Sequence, residues 1–376
     1  MTDYIPLIVV AFAASLALTP LTRQIARRFG VVDTPSSRKV HQTPIPLMGG
    51  LAIYGAFIIA LVLFRGWPKY VAELTGILIS TTWLAFIGLL DDRMDLRPWV
   101  KFPAQALAAI IVIAIGISVD LPIPPFFNWL ITFVWIVGII NAINFLDNMD
   151  GLAAGLSAIC ALFMLILAVL NGQYFVAPLA AALCGSAVGF LIYNFNPATT
   201  FMGDMGSMVL GFILAVLGIK LSFPHETLAG TWYIPIIVMG LPVFDTTLVV
   251  FTRLHEGRSP LVGGRDHTSH RLVSMGLSHR LAVITLYGVC ILLGLASIAA
   301  SEAPVSLSNL IAVVIAALGL GLFAIMEVTR YRYQRKVSRI QETATVVPTP
   351  TPQETVTEVP MSPQDKETVD QVEKVH

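Results

Sequence analysis

Acidic and amide side chains in this chain gather where long apolar stretches end. Asp91, Asp92 and Asp95 follow the stretch that closes at Leu90, and Asn141, Asn144, Asp147 and Asp150 close a second. Asp204 heads a third, in Phe201-Met202-Gly203-Asp204-Met205-Gly206-Ser207. A carboxylate at membrane depth costs roughly 2.5–3.5 kcal/mol on insertion scales, so such groups are rarely kept there without a task. Carboxylate and amide oxygens are the ligands of hard divalent cations, and a cation so held offsets the charge of phosphates. The pattern points to a metal-assisted phosphate site at one face of a membrane.

Each group also has a plainer reading. Asp91 and Asp95 are four apart and share a helical face, with Asp92 beside them. Such acids ligate Mg²⁺, or raise one carboxyl into the range of a general base, or simply solvate a helix end. Lys101 is a phosphate contact or an interface anchor. Asn141, Asn144 and Asn148 share one face of an otherwise apolar helix, expected to unwind near Gly151 so that Asp147 and Asp150 turn inward. The alternative there is polar glue between helices. Gly203 and Gly206 permit close backbone approach, which leaves Asp204 as a metal ligand or as the N-cap of the next span. Phe201 is an interface aromatic or a platform for a nucleobase.

Arg265, His267 and His270, with Arg258 and Arg271, suit an anion better than zinc, although membrane topology alone also asks for a basic loop. Asp33 and Arg38-Lys39-Val40-His41 lead through Pro44 and Pro46 to Gly49-Gly50, a basic strap at the mouth of the second span. Asp245 stands in mid-span after Pro242, where it binds substrate, pairs with a loop arginine or satisfies freed backbone groups.

The elements that must position these residues are membrane helices. Hydrophobic residues make up 56% of the 376 and mean hydropathy is +0.79, far from a soluble domain. Stretches of about 20 apolar residues fall at 4–22, 47–64, 71–90, 102–119, 127–146, 152–170, 174–194, 206–223, 231–252, 281–300 and 306–329. The expectation is an all-α integral membrane protein, a polytopic bundle of about 11 transmembrane helices. The first stretch has no basic residue before it and is expected to stay as an anchor. With the segment after it placed inside, 20 of 23 Lys and Arg fall inside, and only Arg65, Lys69 and Lys220 outside. That puts the N-terminus outside, the C-terminus in the cytoplasm and all three acidic clusters on the cytoplasmic face. A membrane domain at 1–340 precedes a Pro/Thr/Glu-rich tail at 341–376, read as disordered. Zero net charge gives no case for nucleic acid, and Cys160, Cys184 and Cys290 all lie inside spans as small apolar residues.

With these segments in place, the chain resembles the polyprenyl-phosphate N-acetylhexosamine-1-phosphate transferase superfamily. The nearest branch is the WecA/TagO-like one, which includes undecaprenyl-phosphate GlcNAc-1-phosphate transferases. The likeness spans residues 30–285 and rests on Asp91-Asp92 with Lys101, on Asn141-x-x-Asn144-x-x-Asp147-x-x-Asp150-Gly151-Leu152, and on the Phe201–Ser207 run. It implies a Mg²⁺-dependent enzyme, Mn²⁺ being the alternative metal. A UDP-N-acetylhexosamine would give its sugar-1-phosphate to a polyprenyl phosphate in the cell membrane, releasing UMP at a cytoplasm-facing site. By position, the resemblance implies Asp204 and Asn144 as metal ligands and Asp91, beside Asp92, as the group that deprotonates the acceptor. It implies Phe201 and Asp150 at the uridine, Lys101 at a phosphate, and Arg265, His267 and His270 at the diphosphate-sugar. Asp147 belongs to the same substrate-binding run, and a homodimer is one assembly left open. The family's His-x-His-His run reads His267-Thr268-Ser269-His270 here, with Ser269 in place of the middle histidine, and the phospho-MurNAc-pentapeptide branch, which carries a different His-rich signature, is disfavoured. The competing classes are the same chemistry on another UDP-sugar, such as UDP-GalNAc, and a secondary transporter of an anionic solute. A transporter predicts functional charges near the bilayer midplane, whereas here only Asp245 lies there.

Overall fold

Lipid offers backbone groups no hydrogen-bond partners, so long apolar stretches cross it as helices. The computed structural model of the chain describes residues 2–34, 43–63, 69–223, 228–260 and 263–345. A 3₁₀ turn at Thr2–Tyr4 leads into α1 (Ile5–Phe29), followed by a two-residue ladder of β1 (Val32–Asp33) and β2 (Ile45–Pro46). Then come α2 (Gly49–Leu63), α3 (Val71–Met94), α4 (Pro98–Ala114), α5 (Pro125–Leu146), α6 (Leu152–Leu170), α7 (Val176–Asn194) and α8 (Gly203–Lys220). After them follow α9 (Ile234–Val238), α10 (Gly240–His255), α11 (Thr268–Ser274), α12 (His279–Glu302) and α13 (Val305–Thr345).

The protein is an all-α polytopic membrane protein. Helices occupy every expected position, but among the described residues eight are long and apolar enough to cross a bilayer; α2 and α4 are apolar and shorter. The stretch expected as one span at 231–252 is broken between α9 and α10, at Met239. Pro242 explains the break. It has no amide, and its ring excludes the carbonyl four residues earlier. That carbonyl belongs to Val238, and it accepts the Cys160 thiol at 3.3 Å instead.

The strap expected before α2 is seen at its two ends, where Val32 pairs with Pro46 and Asp33 with Ile45, antiparallel. Its middle, with Arg38, Lys39 and His41, lies outside the described residues.

Helix α8 is the axis of the bundle, packed by α2, α3, α5, α6, α7 and α9. In lipid the hydrophobic effect does not drive helices together, so close van der Waals packing at small residues must do it. A Cβ on Gly50 would lie 2.3 Å from the Gly206 amide nitrogen, and one on Gly88 2.4 Å from the Met205 Cα. Glycine at these points lets α2 and α3 touch the first turn of α8 backbone to backbone. Helices α12 and α13 instead turn Leu292, Leu295, Leu318 and Leu320 outward, as a lipid-facing surface requires.

The chain divides into two compact units, Met1–Glu327 and Val328–His376. Helix α13 runs to Thr345, past the boundary expected at 340. Residues 341–345 hold no proline to stop it, the first being Pro348. The rest of the expected tail lies outside the described residues.

Candidate active site

Helix α3 ends because Asp95 takes a left-handed conformation, φ 50°, with its amide donating to Asp91 O at 2.8 Å. Aspartate tolerates that region as a single residue. Asp95 is therefore a cap, exposed, and does not share a helical face with Asp91 as its spacing suggests. Asp91 is buried; its Oδ1 accepts the Leu96 amide at 2.6 Å and its Oδ2 lies 2.5 Å from Lys101 Nζ. Asp92 turns the other way. It accepts the amides of Asp204 (2.6 Å) and Met205 (3.3 Å), capping the first turn of α8 from a different helix. Gly203 has φ 68°, and a Cβ there would come within 2.4 Å of the Asp92 carboxylate, so this cradle admits only glycine.

With Asp92 serving as the cap, Asp204 is released from that duty and points into the cluster. Its Oδ2 is 2.6 Å from Lys101 Nζ, and its Oδ1 accepts from Asn144 Nδ2 at 2.9 Å. Asn144 also donates to Ser207 Oγ at 2.9 Å. Asp91, Lys101, Asn144 and Asp204 thus meet from the ends of α3, α4, α5 and α8. Among the described residues no three Asp, Glu, His or Cys side chains form a metal cluster. The set does fit a hard cation: two carboxylates bracket a positive charge, now the Lys101 ammonium. An amide oxygen becomes available when Asn144 is turned over, since its O and N are assigned from hydrogen bonding.

The α5 helix stops at Leu146, with Asp147 as its cap, four residues earlier than the expected unwinding at Gly151. Asp147 is half-buried, and its carboxyl has no hydrogen-bond or salt-bridge partner among the described residues. Burial first, then the Asp204 and Asp150 charges, push its pKa up to about 7. Asp150, which the resemblance sets at the uridine, accepts from Asn196 Nδ2 (3.1 Å) and the Ala198 amide (2.9 Å), bracing the loop after α7. Phe201 is half-buried and its backbone joins Pro46 and Gly49, at 2.8 and 2.9 Å.

The loop before α11 is ordered by its charges. Arg253 donates to Asp266 (3.1 Å) and Pro260 O (2.7 Å), and Arg258 reaches Asp266 at 2.9 Å. Burial would raise the Asp266 pKa, but Arg258 and Arg253 hold it below the usual range. Arg271 bonds Glu327, Thr252 and the Met326 carbonyl. Arg265 is exposed. Burial, then His267, Arg265 and His279, lower the His270 pKa to about 4, so its ring is neutral. Asp245 pairs not with an arginine but with His267, 2.8 Å from Nδ1.

The sequence signature of glycosyl transferase family 4 matches residues 74–222, from the first turn of α3 to just past α8. A probable undecaprenyl-phosphate N-acetylglucosaminyl 1-phosphate transferase of Bacillus subtilis (strain 168) is 37% identical over 314 residues, covering 80% of this chain and 87% of that protein. The chain belongs to this polyprenyl-phosphate N-acetylglucosamine-1-phosphate transferase family. Its members also include a decaprenyl-phosphate N-acetylglucosaminephosphotransferase of Mycolicibacterium smegmatis, 33% identical over 72% of this chain and 75% of the relative. An undecaprenyl-phosphate alpha-N-acetylglucosaminyl 1-phosphate transferase of Escherichia coli (strain K12) is 27% identical over 70% and 75%.

In this family member, residues to which the sequence assigned no role do much of the positioning. Ser207 holds Asn144, Gln105 Oε1 accepts from Asn141 at 2.6 Å, and Asn194 receives the Gly151 amide at 3.1 Å. Ser269 is fully buried and donates to Asn148 Oδ1 at 2.7 Å, tying α11 to the loop that carries Asp147. Ser207, Gln105 and Asn194 are polar residues inside or at the end of an apolar stretch, which is the one signal that marked them, whereas Ser269 lies in a polar loop and carried none.

Proposed function

We propose that this transferase moves N-acetylglucosamine-1-phosphate from UDP-N-acetylglucosamine to undecaprenyl phosphate, releasing UMP. The names of its relatives support the substrates, and the junction of Asp91, Lys101, Asn144 and Asp204 at four helix ends carries the chemistry. An acceptor phosphate oxygen attacks the phosphorus that bears the sugar, and the bond from that phosphorus to the UMP oxygen breaks. Asp91 takes the acceptor's proton, so that the attacking oxygen is fully charged. Lys101 offers its ammonium to phosphate oxygens, reducing the repulsion between two anionic reactants. Asp204 and Asn144 are the proposed Mg²⁺ ligands, and Mg²⁺ bound there would polarise the phosphorus and neutralise the diphosphate. Asp92 contributes by holding the first turn of α8, and with it Asp204. Phe201 and Asp150 face the donor's nucleoside, Asp147, with its carboxyl unpartnered, serves the same substrate site, and His267, His270 and Arg265 face the diphosphate-sugar. The active end faces the cytoplasm, a reading supported by 20 of 23 basic residues on that side.

The test is UMP release by the purified protein across a panel of UDP-sugars, with and without undecaprenyl phosphate. UDP-N-acetylglucosamine should be preferred, activity should require the lipid, and excess EDTA should abolish it. UMP release without the lipid acceptor, or full activity in EDTA, contradicts the proposal.

A further inference from the structure

Asp245 has no exposed surface and lies in α10, next to the break imposed by Pro242. Among the described residues no lysine or arginine pairs with it. Its two oxygens go to two donors on the segment that opens α11. Oδ1 accepts the Thr268 amide at 2.6 Å, and Oδ2 lies 2.8 Å from His267 Nδ1. A carboxylate has no proton to give, so the His267 proton must sit on Nδ1. The ring is 4% exposed and packs edge-on to Phe145, centroids 6.1 Å apart. Nε2 has no hydrogen-bond partner among the described residues, yet it is not among the fully enclosed unpartnered atoms. One nitrogen is therefore fixed by the fold and the other is left open.

The geometry points to Asp245 as a positioning residue that locks His267 in the Nδ1–H form and presents Nε2, as an acceptor, to the sugar end of the nucleotide-sugar. This rests on the proposed placement of His267 at the donor. With the ring's proton on Nδ1, Nε2 accepts a hydrogen bond and gives none, so it meets a hydroxyl or amide N–H of the donor sugar, not a phosphate oxygen. A buried acid that served only as a helix cap would be replaceable by any acceptor of similar shape. The pairing of one oxygen with a backbone amide makes the two roles separable. The Thr268 amide can only donate, so in Asp245→Asn the amide oxygen stays on Thr268. The new NH₂ then faces His267 Nδ1, which must become an acceptor and move its proton to Nε2.

The experiment is ¹⁵N NMR of the full chain in detergent at pH 8, with its seven histidines labelled and His267 identified by its loss in His267→Gln. The wild-type protein should show protonated Nδ1 and bare Nε2 at His267, and Asp245→Asn should exchange them. A wild-type Nε2–H ring, or an Asp245→Asn spectrum with the tautomer unchanged, overturns the proposal. If Asp245→Asn does not fold, the wild-type spectrum decides alone. In turnover, Asp245→Asn should lower kcat/KM for UDP-N-acetylglucosamine about tenfold or more while KM for the polyprenyl phosphate stays within about twofold. His267→Gln, whose amide reaches the Nε2 position, should retain more activity than His267→Asn. Equal losses toward both substrates would reduce Asp245 to a structural cap. A wild-type protein that releases no UMP removes the transferase reading, and the spectra still decide the tautomer.

Discussion

Asp91, Asp92 and Asp204 are the same residue type within one cluster, and their surroundings give them different work. Asp91 has one oxygen on backbone and one on Lys101, Asp92 is committed to two amides of α8, and Asp204 meets a lysine and an amide side chain. Asp91→Asn should keep UDP-N-acetylglucosamine binding by calorimetry and lose about 10²-fold or more in turnover, the scale of a missing general base. Asp204→Asn should shift the Mg²⁺ dependence to higher concentration, because an amide is a poorer ligand for a hard cation. Loss of nucleotide affinity to the same extent in both variants would contradict these roles. Asp147 gives a pH prediction. Its folded pKa of about 7 lies above the ordinary 3.8, so the folded state holds a proton that the unfolded chain releases. Its contribution is favourable below pH 4 and is lost as pH rises through 7. In metal-free protein, Asp147→Asn should melt higher than wild type at pH 8, by about 2 kcal/mol once solvent screening is allowed for. The gain should vanish near pH 4. A pH-independent difference in melting would refute the shift.

At the scale of elements, the site depends on helix ends being held by other helices. The first turn of α8 is capped by Asp92 of α3, and α2 and α3 press against it through Gly50 and Gly88. Asp92→Asn keeps an acceptor at the cap and should preserve most stability and turnover, while Asp92→Ala should lose about 1–2 kcal/mol of stability and much of the activity. If Asp92→Asn is as inactive as Asp92→Ala yet melts like wild type, Asp92 acts on the reactants rather than as a cap. Gly50→Ala places a methyl 2.3 Å from the Gly206 nitrogen, with backbone as the obstacle. It should destabilise by about 1–3 kcal/mol, as overpacking does, and a melting temperature equal to wild type would show that α2 can move aside.

Across the whole molecule, the site reading requires the acidic ends of α3, α5 and α8 to face the cytoplasm. The native cysteines are all buried, so an introduced one can report sidedness. Ser259→Cys should react with a membrane-impermeant maleimide only after the cytoplasmic face is opened, and Tyr174→Cys should react in intact cells. The reverse labelling would place the acidic cluster away from cytoplasmic nucleotide-sugars and end the transferase proposal.

The membrane class, the helix positions and the identity of the acidic motifs were all legible in the chain, because hydropathy over about 20 residues and polar residues at span ends are local properties. The convergence of Asp91, Lys101, Asn144 and Asp204 was legible as motif order. The division of labour among them was not. Nothing in Asp91-Asp92 says that one carboxylate meets a lysine and the other caps a helix more than a hundred residues away, since that choice is made by the approach of α3 to α8. The reach of a local pattern also misplaced Asp95, which left the helix in a left-handed turn. For Asp245 the sequence offered three partners, and only packing α11 against α10 selected the imidazole of His267. Periodicity specifies which face of a helix is polar; which partner that face meets is a property of the assembled bundle.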